Sequence, residues 1–292
     1  MPNLRLQKNP SPVPSKEPME WLASKLNLTR TLRPWMPDGY ESYVRVLHPG
    51  FAVVPGTENG TPEVLVPWST VCEWSGKPLN ATSHIGDVMR REDGINWAEP
   101  GREGVAPPQG QMDSASLSRL LIHLTEETST PDEIWMLIWT GYAGQPDTVG
   151  LPVEVSWFLR ATGREYVLLR GSISSSPDSP QVMAFENPPT FWWPADRSWF
   201  VVCDIDASST YVGGTDKLIQ RILNDIELES FPAQLDDPYE GYYVAPASTS
   251  AVNPRIGFTT RLRHHSLFFR FRFGRRRRGS AIYQMKKNRF WK

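Results

Sequence analysis

Alternating and continuous apolar segments along the chain predict a series of β-strands. Residues 43–47 alternate and are rich in β-forming side chains, and residues 134–139 (IWMLIW) are apolar at every position. Because the second run is short and ends at Thr140-Gly141, it is typical of a strand buried on both faces. Further strands are predicted over residues 64–66, 153–159, 165–170 and 199–206.

Apolar side chains at helical spacing predict four helices between these strands. The longest begins at Asp113 or Ser114, which are good N-cap residues, and ends near Thr128. A second begins at the N-cap candidate Thr215, and shorter helices are predicted over residues 19–28 and 67–76. The apolar faces of the two capped helices consist of Leu117, Leu120, Leu121 and Leu124 and of Leu218, Ile219, Ile222 and Leu223.

Strands mixed with a few helices predict an α+β fold, with a mainly antiparallel sheet that helices cover on one side. One main domain is expected over residues 19–240. Residues 1–18 are rich in proline and are predicted to be a flexible lead-in, and residues 241–292 a disordered basic arm. Residues 77–112 have no sustained apolar period and many Gly, Pro and charged residues, so a long loop is predicted there.

The net charge of −1 conceals two parts of the chain with opposite charges. Residues 255–292 contain 13 of the 31 basic residues and no acidic residue. The other 18 basic residues stand against all 32 acidic ones, so residues 1–254 carry a net charge of −14 and the last 38 residues carry +13. Such an asymmetry indicates an acidic folded body followed by a basic segment suited to anionic partners.

Composition also narrows the class of protein. No run approaches the ~20 apolar residues of a membrane span, and residues 1–18 lack the apolar segment of a signal peptide, so we expect a cytoplasmic protein without a transmembrane segment. Cys72 and Cys203 each lie in an apolar stretch and are expected to be small buried side chains. No histidine has a zinc-like partner at ligand spacing, so neither a metal nor another cofactor is predicted.

Residues 187–199 (NPPTFWWPADRSW), followed by residues 204–214 (DIDASSTYVGG), resemble a family of uncharacterised bacterial proteins that is frequent in actinobacteria. The likeness extends to residues 43–49, 68–71 and 129–132 and covers the chain from about residue 40 to about residue 232. The resemblance implies no reaction, cofactor or catalytic residue. The proline-rich start and the arginine-rich end both lie outside the matching stretch.

Two carboxylates on the predicted strand at residues 199–206 are the first candidates for chemistry. Asp204 and Asp206 are two positions apart, so both point to one face and would be able to share a metal ion or divide acid and base roles. Asp196 or Asp216 is a candidate third carboxylate, and His48 is a candidate catalytic residue. The alternative is structural: a strand turns polar where it leaves the core, and His48 before Pro49 closes a strand.

The aromatic run at residues 191–193 is a candidate binding surface. Trp192, Trp193 and Trp199 would form an aromatic platform for a sugar, a base or a peptide. Asp196 and Arg197 would complete this ligand or partner surface. In the alternative interpretation, the large rings pack at the edge of the core while Asp196 and Arg197 pair or cap a turn.

The basic segment is a candidate nucleic-acid interface, because residues 267–273 alternate apolar and basic side chains and four arginines follow. Its candidate contacts are Arg270, Arg272, Arg275, Arg276, Arg277 and Arg278. The same composition would also suit binding to an anionic lipid surface or to a partner protein. Alternatively the segment is incidental, since composition changes abruptly where the family resemblance has ended, as after a reading-frame change or a vector-derived extension.

These observations together predict a binding or interaction module. An acidic body is suited to capturing a basic protein partner, as immunity-type and antitoxin-type proteins do, and that analogy is one of charge alone. The alternatives are a metal-dependent hydrolase that uses Asp204 and Asp206 and a nucleic-acid binding protein that uses residues 255–292.

Overall fold

The computed structural model of the chain describes residues 11–27, 29–53, 63–88, 98–99, 102–105, 109–110, 112–141, 156–173 and 189–240. Within these residues it contains short strands and five α-helices. The helices are α1 (Glu17–Lys25), α2 (Trp68–Ser75), α3 (Ile85–Val88), α4 (Ser114–Glu127) and α5 (Asp216–Leu223). The strands are β1 (Ser11–Pro12), β2 (Ser42–Leu47), β3 (Gly50–Val53), β4 (Glu63–Val66), β5 (Ala98–Glu99), β6 (Arg102–Val105), β7 (Ile134–Trp139), β8 (Ser156–Leu159), β9 (Arg164–Gly171), β10 (Phe191–Pro194), β11 (Phe200–Val202), β12 (Ser209–Gly214) and β13 (Ser230–Ala233).

Nine strands form one antiparallel sheet, which confirms the predicted α+β class. Its order is β1-β9-β7-β10-β11-β12-β2-β13, and β8 pairs with the same edge of β9 as β1. The apolar strand β7 lies inside the sheet, where Leu137 pairs with Phe191 of β10 on one side and with Leu168 of β9 on the other. A central position with neighbours on both edges agrees with its uniformly apolar sequence.

Both faces of this sheet are buried, so the prediction of a sheet covered on one side is wrong. Side chains alternate along each strand. Trp192 therefore packs in a cluster between the sheet and helices α4 and α5, and Trp193 packs in a second cluster on the opposite face. Helix α1 and the segment around Trp35 cover that second face. Because the segment around Trp35 lacks a regular apolar period, the sequence pattern does not reveal that it covers this face.

The two capped helices lie where the spacing predicted them. The Asp113 carboxylate accepts hydrogen bonds from the backbone N–H groups of Ala115 and Ser116, each at 3.0 Å, and begins α4. The Thr215 hydroxyl accepts from Leu218 N at 3.2 Å and begins α5. Such caps satisfy N–H groups that have no partner inside the helix.

Residues 47–105 contribute a second sheet and a third apolar cluster. The four strands β4-β3-β6-β5 form this sheet. Helix α2, which ends at Gly76 with a φ of 69°, buries Trp68 and Val71 in the cluster together with Ile85 of α3. The prediction of one long loop over residues 77–112 is wrong for the described part of that segment, because α3, β5 and β6 lie within it.

The predicted domain boundaries stay predictions, since residues 1–10 and 241–292 lie outside the described residues. Within the predicted lead-in, Ser11 and Pro12 pair with β9, and Val13 N donates to Leu168 O at 2.9 Å. In the described part of the chain, every helix is too short or too polar to cross a bilayer.

Candidate functional site

The two candidate carboxylates lie at the end of the large sheet, in the turn that follows β11. The strand ends at Val202, four residues earlier than predicted, so Asp204 and Asp206 belong to the turn. Asp204 is buried with 1 % of its side chain exposed, whereas Asp206 is 54 % exposed. The Arg164 guanidinium donates one hydrogen bond to Asp204 Oδ1 and another, of 2.9 Å, to Asp206 Oδ2. The two carboxylates therefore face one cation, and that cation is a side chain of the protein itself.

Two aromatic rings lie close to this cation. The Arg164 Cζ atom lies 5.1 Å from the ring centroid of Trp35 and 5.1 Å from that of Trp139. A guanidinium close to two indole rings gains cation–π attraction and loses freedom to move. Arg164 thus ties the start of β9 to the turn after β11.

Asp204 is the titratable group most altered by this arrangement. Burial raises its pKa from 3.8 to about 6, although the nearby Arg164 acts to lower it. None of the described residues donates a hydrogen bond to its second oxygen, Oδ2. The carboxyl is therefore able to change charge close to neutral pH, which is a property of acid–base groups and also of strained buried pairs.

The third candidate, His48, is fully buried and has other neighbours. Its Nε2 lies 2.9 Å from Thr210 Oγ1 and 4.0 Å from Cys203 Sγ. Burial raises the pKa of the Cys203 thiol to about 12, so this cysteine stays protonated. Both cysteines are buried, as predicted, and the two are not joined by a disulfide bond. The structure places His48 against a hydroxyl and a thiol, while Asp204 and Asp206 face Arg164.

The candidate third carboxylates do not join this turn. Asp216 Oδ1 accepts a hydrogen bond from Ser42 Oγ, and Asp196 accepts hydrogen bonds from the residue 128–129 segment. Among the described residues, no three His, Cys, Asp or Glu side chains are grouped closely enough to hold a metal ion.

The prediction that the three tryptophans form an aromatic platform is wrong. Trp192, Trp193 and Trp199 are all buried, and the first two point to opposite faces of the sheet. Trp199 packs edge-on against Trp192 at a centroid distance of 5.2 Å, and its Nε1 donates to Leu124 O at 2.9 Å. The rings are core residues, as in the alternative interpretation: strand alternation carries Trp192 and Trp193 into the two clusters, and Trp199, just before β11, packs in the same cluster as Trp192.

Asp196 and Arg197 are exposed and shape the turn between β10 and β11. Asp196 Oδ2 accepts hydrogen bonds from Ser129 N at 2.7 Å and Ser129 Oγ at 2.8 Å, and its Oδ1 accepts from Ser198 N at 3.0 Å. Partial burial acts to raise the pKa of Asp196, but these hydrogen bonds outweigh it and lower the pKa to about 2. Arg197 has a left-handed φ of 55° and lies over the Trp21 ring at 4.8 Å.

A buried ion pair lies near the Asp204 turn, and the sequence pattern did not reveal it. Arg45 Nη2 donates to Glu240 Oε2 at 3.2 Å, and both side chains are almost completely buried. Arg45 Nη1 also donates to Ala81 O at 2.9 Å and Ser83 O at 2.8 Å. A charged residue at the centre of the alternating stretch Val44-Arg45-Val46 was the available signal. Its contacts anchor a loop and the end of the described chain, which is a structural role.

A cleft on another part of the surface contains two of the exposed large apolar side chains. Ile226 is 96 % exposed in the turn after α5, and Leu65 of β4 is also exposed. The cleft has a volume of about 780 Å³. Its lining includes Leu47, Pro49, Leu65, Pro67, Asp113, Arg119, Ile226, Glu227 and Glu229. A single exposed isoleucine carries no sequence signal, because its exposure depends on how the turn is held.

The candidate nucleic-acid residues lie outside the described residues. They are Arg270, Arg272, Arg275, Arg276, Arg277 and Arg278. Nucleic-acid binding by this segment stays a prediction.

No protein-family model, no curated protein and no solved structure matches this chain. The resemblance to the actinobacterial-type family therefore stays a prediction.

Proposed function

We propose that the folded body is a protein-interaction module that captures a basic partner at the cleft beside Ile226. The observation that carries this proposal is the exposure of Ile226, at 96 %, on the rim of a cleft whose charged lining is mainly acidic. Leu65, which is also exposed, lines the same cleft, and exposed apolar surface rimmed by polar residues marks protein interaction sites.

The turn that carries Ile226 is held by hydrogen bonds on both sides. Leu228 N donates to Asp225 O at 3.0 Å, and Glu227 N donates to Asp225 Oδ1 at 3.1 Å. Leu228 and Asp225 are themselves buried. Because the flanking residues are fixed, the isoleucine is presented without much loss of conformational entropy on binding, which favours affinity.

The charge of the cleft supports a basic partner. Among the described lining residues, three are acidic, Asp113, Glu227 and Glu229, and one is a cation, Arg119. Glu229 accepts hydrogen bonds from Trp68 N and Ser69 N, so its carboxylate is fixed at the start of α2. Residues 1–254 carry a net charge of −14, which would steer a basic protein toward this surface over longer distances.

The hydrolase alternative receives less support from the geometry. Asp204 and Asp206 are both hydrogen-bonded to Arg164, and the His48 imidazole Nε2 lies against Thr210 and Cys203. Arg164 therefore already supplies the positive charge that these two carboxylates face.

The test uses the full chain and a fluorescent synthetic peptide in which one leucine is flanked by lysines. A second peptide with glutamates in place of the lysines controls for charge. We expect the basic peptide to bind and its affinity to fall about tenfold in Ile226→Ser and in Glu227→Lys. Phe158→Ser is the matched control, since Phe158 is another exposed large apolar residue and lies on β8.

Equal binding of both peptides, or equal losses in Ile226→Ser and Phe158→Ser, would overturn the proposal. Thermal unfolding of each variant separates loss of binding from loss of fold. Because Ile226 is exposed, Ile226→Ser is expected to change stability by less than about 0.5 kcal/mol.

A further inference from the structure

We propose a second binding site, in the cleft between α4 and α5, that takes a small oxyanion of the phosphate class. This cleft has a volume of about 510 Å³. The residues that line it with hydrogen-bond donors are Arg119, His123, Lys217, Gln220, Arg221 and Asn224. A cluster of cations and amides is unexpected on a body with a net charge of −14 over residues 1–254. The proposal does not depend on the capture of a basic partner, although Arg119 lines both clefts.

The remaining lining residue, Asp225, does not present its charge to the cleft. Its side chain is 2 % exposed. Its Oδ2 accepts hydrogen bonds from Arg119 Nε at 2.5 Å and from His123 Nε2 at 2.6 Å, and its Oδ1 accepts from Glu227 N. All the described contacts of this carboxylate are therefore internal, and they fix Arg119 and His123 in the wall of the cleft.

Several donors in the lining remain available to a ligand. Arg119 uses only its Nε in the described contacts, and 45 % of its side chain is exposed. Lys217 is exposed and forms no ion pair with any described residue. The side-chain amides of Gln220 and Asn224 are likewise without described hydrogen bonds. An oxyanion with several acceptor oxygens matches this set of donors better than a single carboxylate does.

Arg221 holds the two helices of the cleft together. Its Nη2 donates to Glu127 Oε2 at 2.9 Å and to His123 O at 3.0 Å, and its Nη1 donates to Glu126 Oε2 at 3.2 Å. Two carboxylates therefore balance its charge, and its role is to fix α5 against α4 so that the exposed donors of the lining keep their positions.

The experiment is calorimetric titration of the full chain with inorganic phosphate, at an ionic strength held constant with sodium chloride. We expect saturable binding that Lys217→Gln weakens by about tenfold, because one charge-assisted hydrogen bond is lost. Lys217 makes no described contact that the fold needs, so this variant is expected to stay folded.

Arg160→Gln is the matched control, since it removes one exposed positive charge from the distant turn after β8. Equal weakening in both variants, or binding no stronger than that of chloride, would mean general screening and would overturn the site. Ile226→Ser is expected to leave phosphate affinity unchanged. Failure of the peptide experiment and failure of this one are therefore distinguishable.

Discussion

Arg164 and Asp204 form an ion pair in which the carboxylate is 1 % exposed and the guanidinium carbon lies 5.1 Å from the centroids of two tryptophan rings. The pair joins the first residue of β9 to the turn after β11. Because the two residues are far apart in the sequence, this contact fixes the position of β9 relative to the turn after β11.

Arg164→Met is expected to destabilise the protein by about 3 kcal/mol, because it leaves Asp204 buried without its cation. Urea unfolding of the full chain measures the change. The double variant Arg164→Met/Asp204→Asn is expected to recover part of the loss, since no buried charge remains. A loss below about 1 kcal/mol in Arg164→Met would show that the pair contributes little.

Asp204 is also expected to make stability depend on pH. Its pKa is raised in the folded protein, from 3.8 to about 6, so between these values the folded state binds more protons than the unfolded state. The contribution of this group to stability is therefore greatest below its unfolded pKa and is lost as the pH rises through the folded pKa. Between about pH 4.5 and about pH 7.5, the wild type should lose about 2 kcal/mol relative to Asp204→Asn.

Unfolding free energies of both proteins at the two pH values test this expectation. A constant difference between the wild type and Asp204→Asn would contradict it.

Local periodicity explains which parts of the fold the sequence predicts. Helices α4 and α5 and strand β7 were predicted near their observed positions, because caps and apolar spacing are encoded within each segment. The second covered face was missed, since the segment around Trp35 has no regular period and becomes buried only through tertiary contacts. Strand β12 was missed because its glycines, Gly213 and Gly214, are more typical of turns.

The same limit applies to the candidate site. The spacing of Asp204 and Asp206 predicted two carboxylates on one face of a strand, but the strand ends at Val202 and both lie in the following turn, where they bind Arg164. The choice of Arg164 as their partner depends on tertiary contacts between distant parts of the chain. The local sequence does not specify such contacts. The tryptophans at positions 192 and 193 show the converse, since composition suggested a surface and the alternation of β10 buried both.

Asp196→Ala is expected to cost about 1–2 kcal/mol, because the backbone N–H groups of Ser129 and Ser198 lose their acceptor. Urea unfolding provides the measurement. Asp132→Ala is a suitable control, since Asp132 is exposed and forms no described side-chain hydrogen bond. Similar losses in the two variants would argue against a capping role for Asp196.

Gly110→Ala is expected to be more destabilising than Gly163→Ala. Both glycines have a positive φ, of 72° and 68°, so both substitutions introduce backbone strain. A Cβ at position 110 would also lie 2.6 Å from Ile205 Cα, whereas a Cβ at position 163 would meet nothing within 4 Å. Thermal unfolding should show that Gly110→Ala is less stable than Gly163→Ala by about 1–3 kcal/mol. Equal effects would mean that the 109–110 segment moves away from the Asp204 turn at little cost.

The outer strands of the large sheet determine how this protein is able to associate. On one side, the edge of β9 is covered by β1 and β8, which have only two and four residues, and edge strands this short offer few backbone groups to a foreign strand. On the other side, β13 carries Pro232, which has no N–H group to donate. Strand addition is therefore disfavoured at both ends of the sheet. Recognition by this body is expected to depend on side chains, which a partner is able to distinguish more selectively than a row of backbone amides.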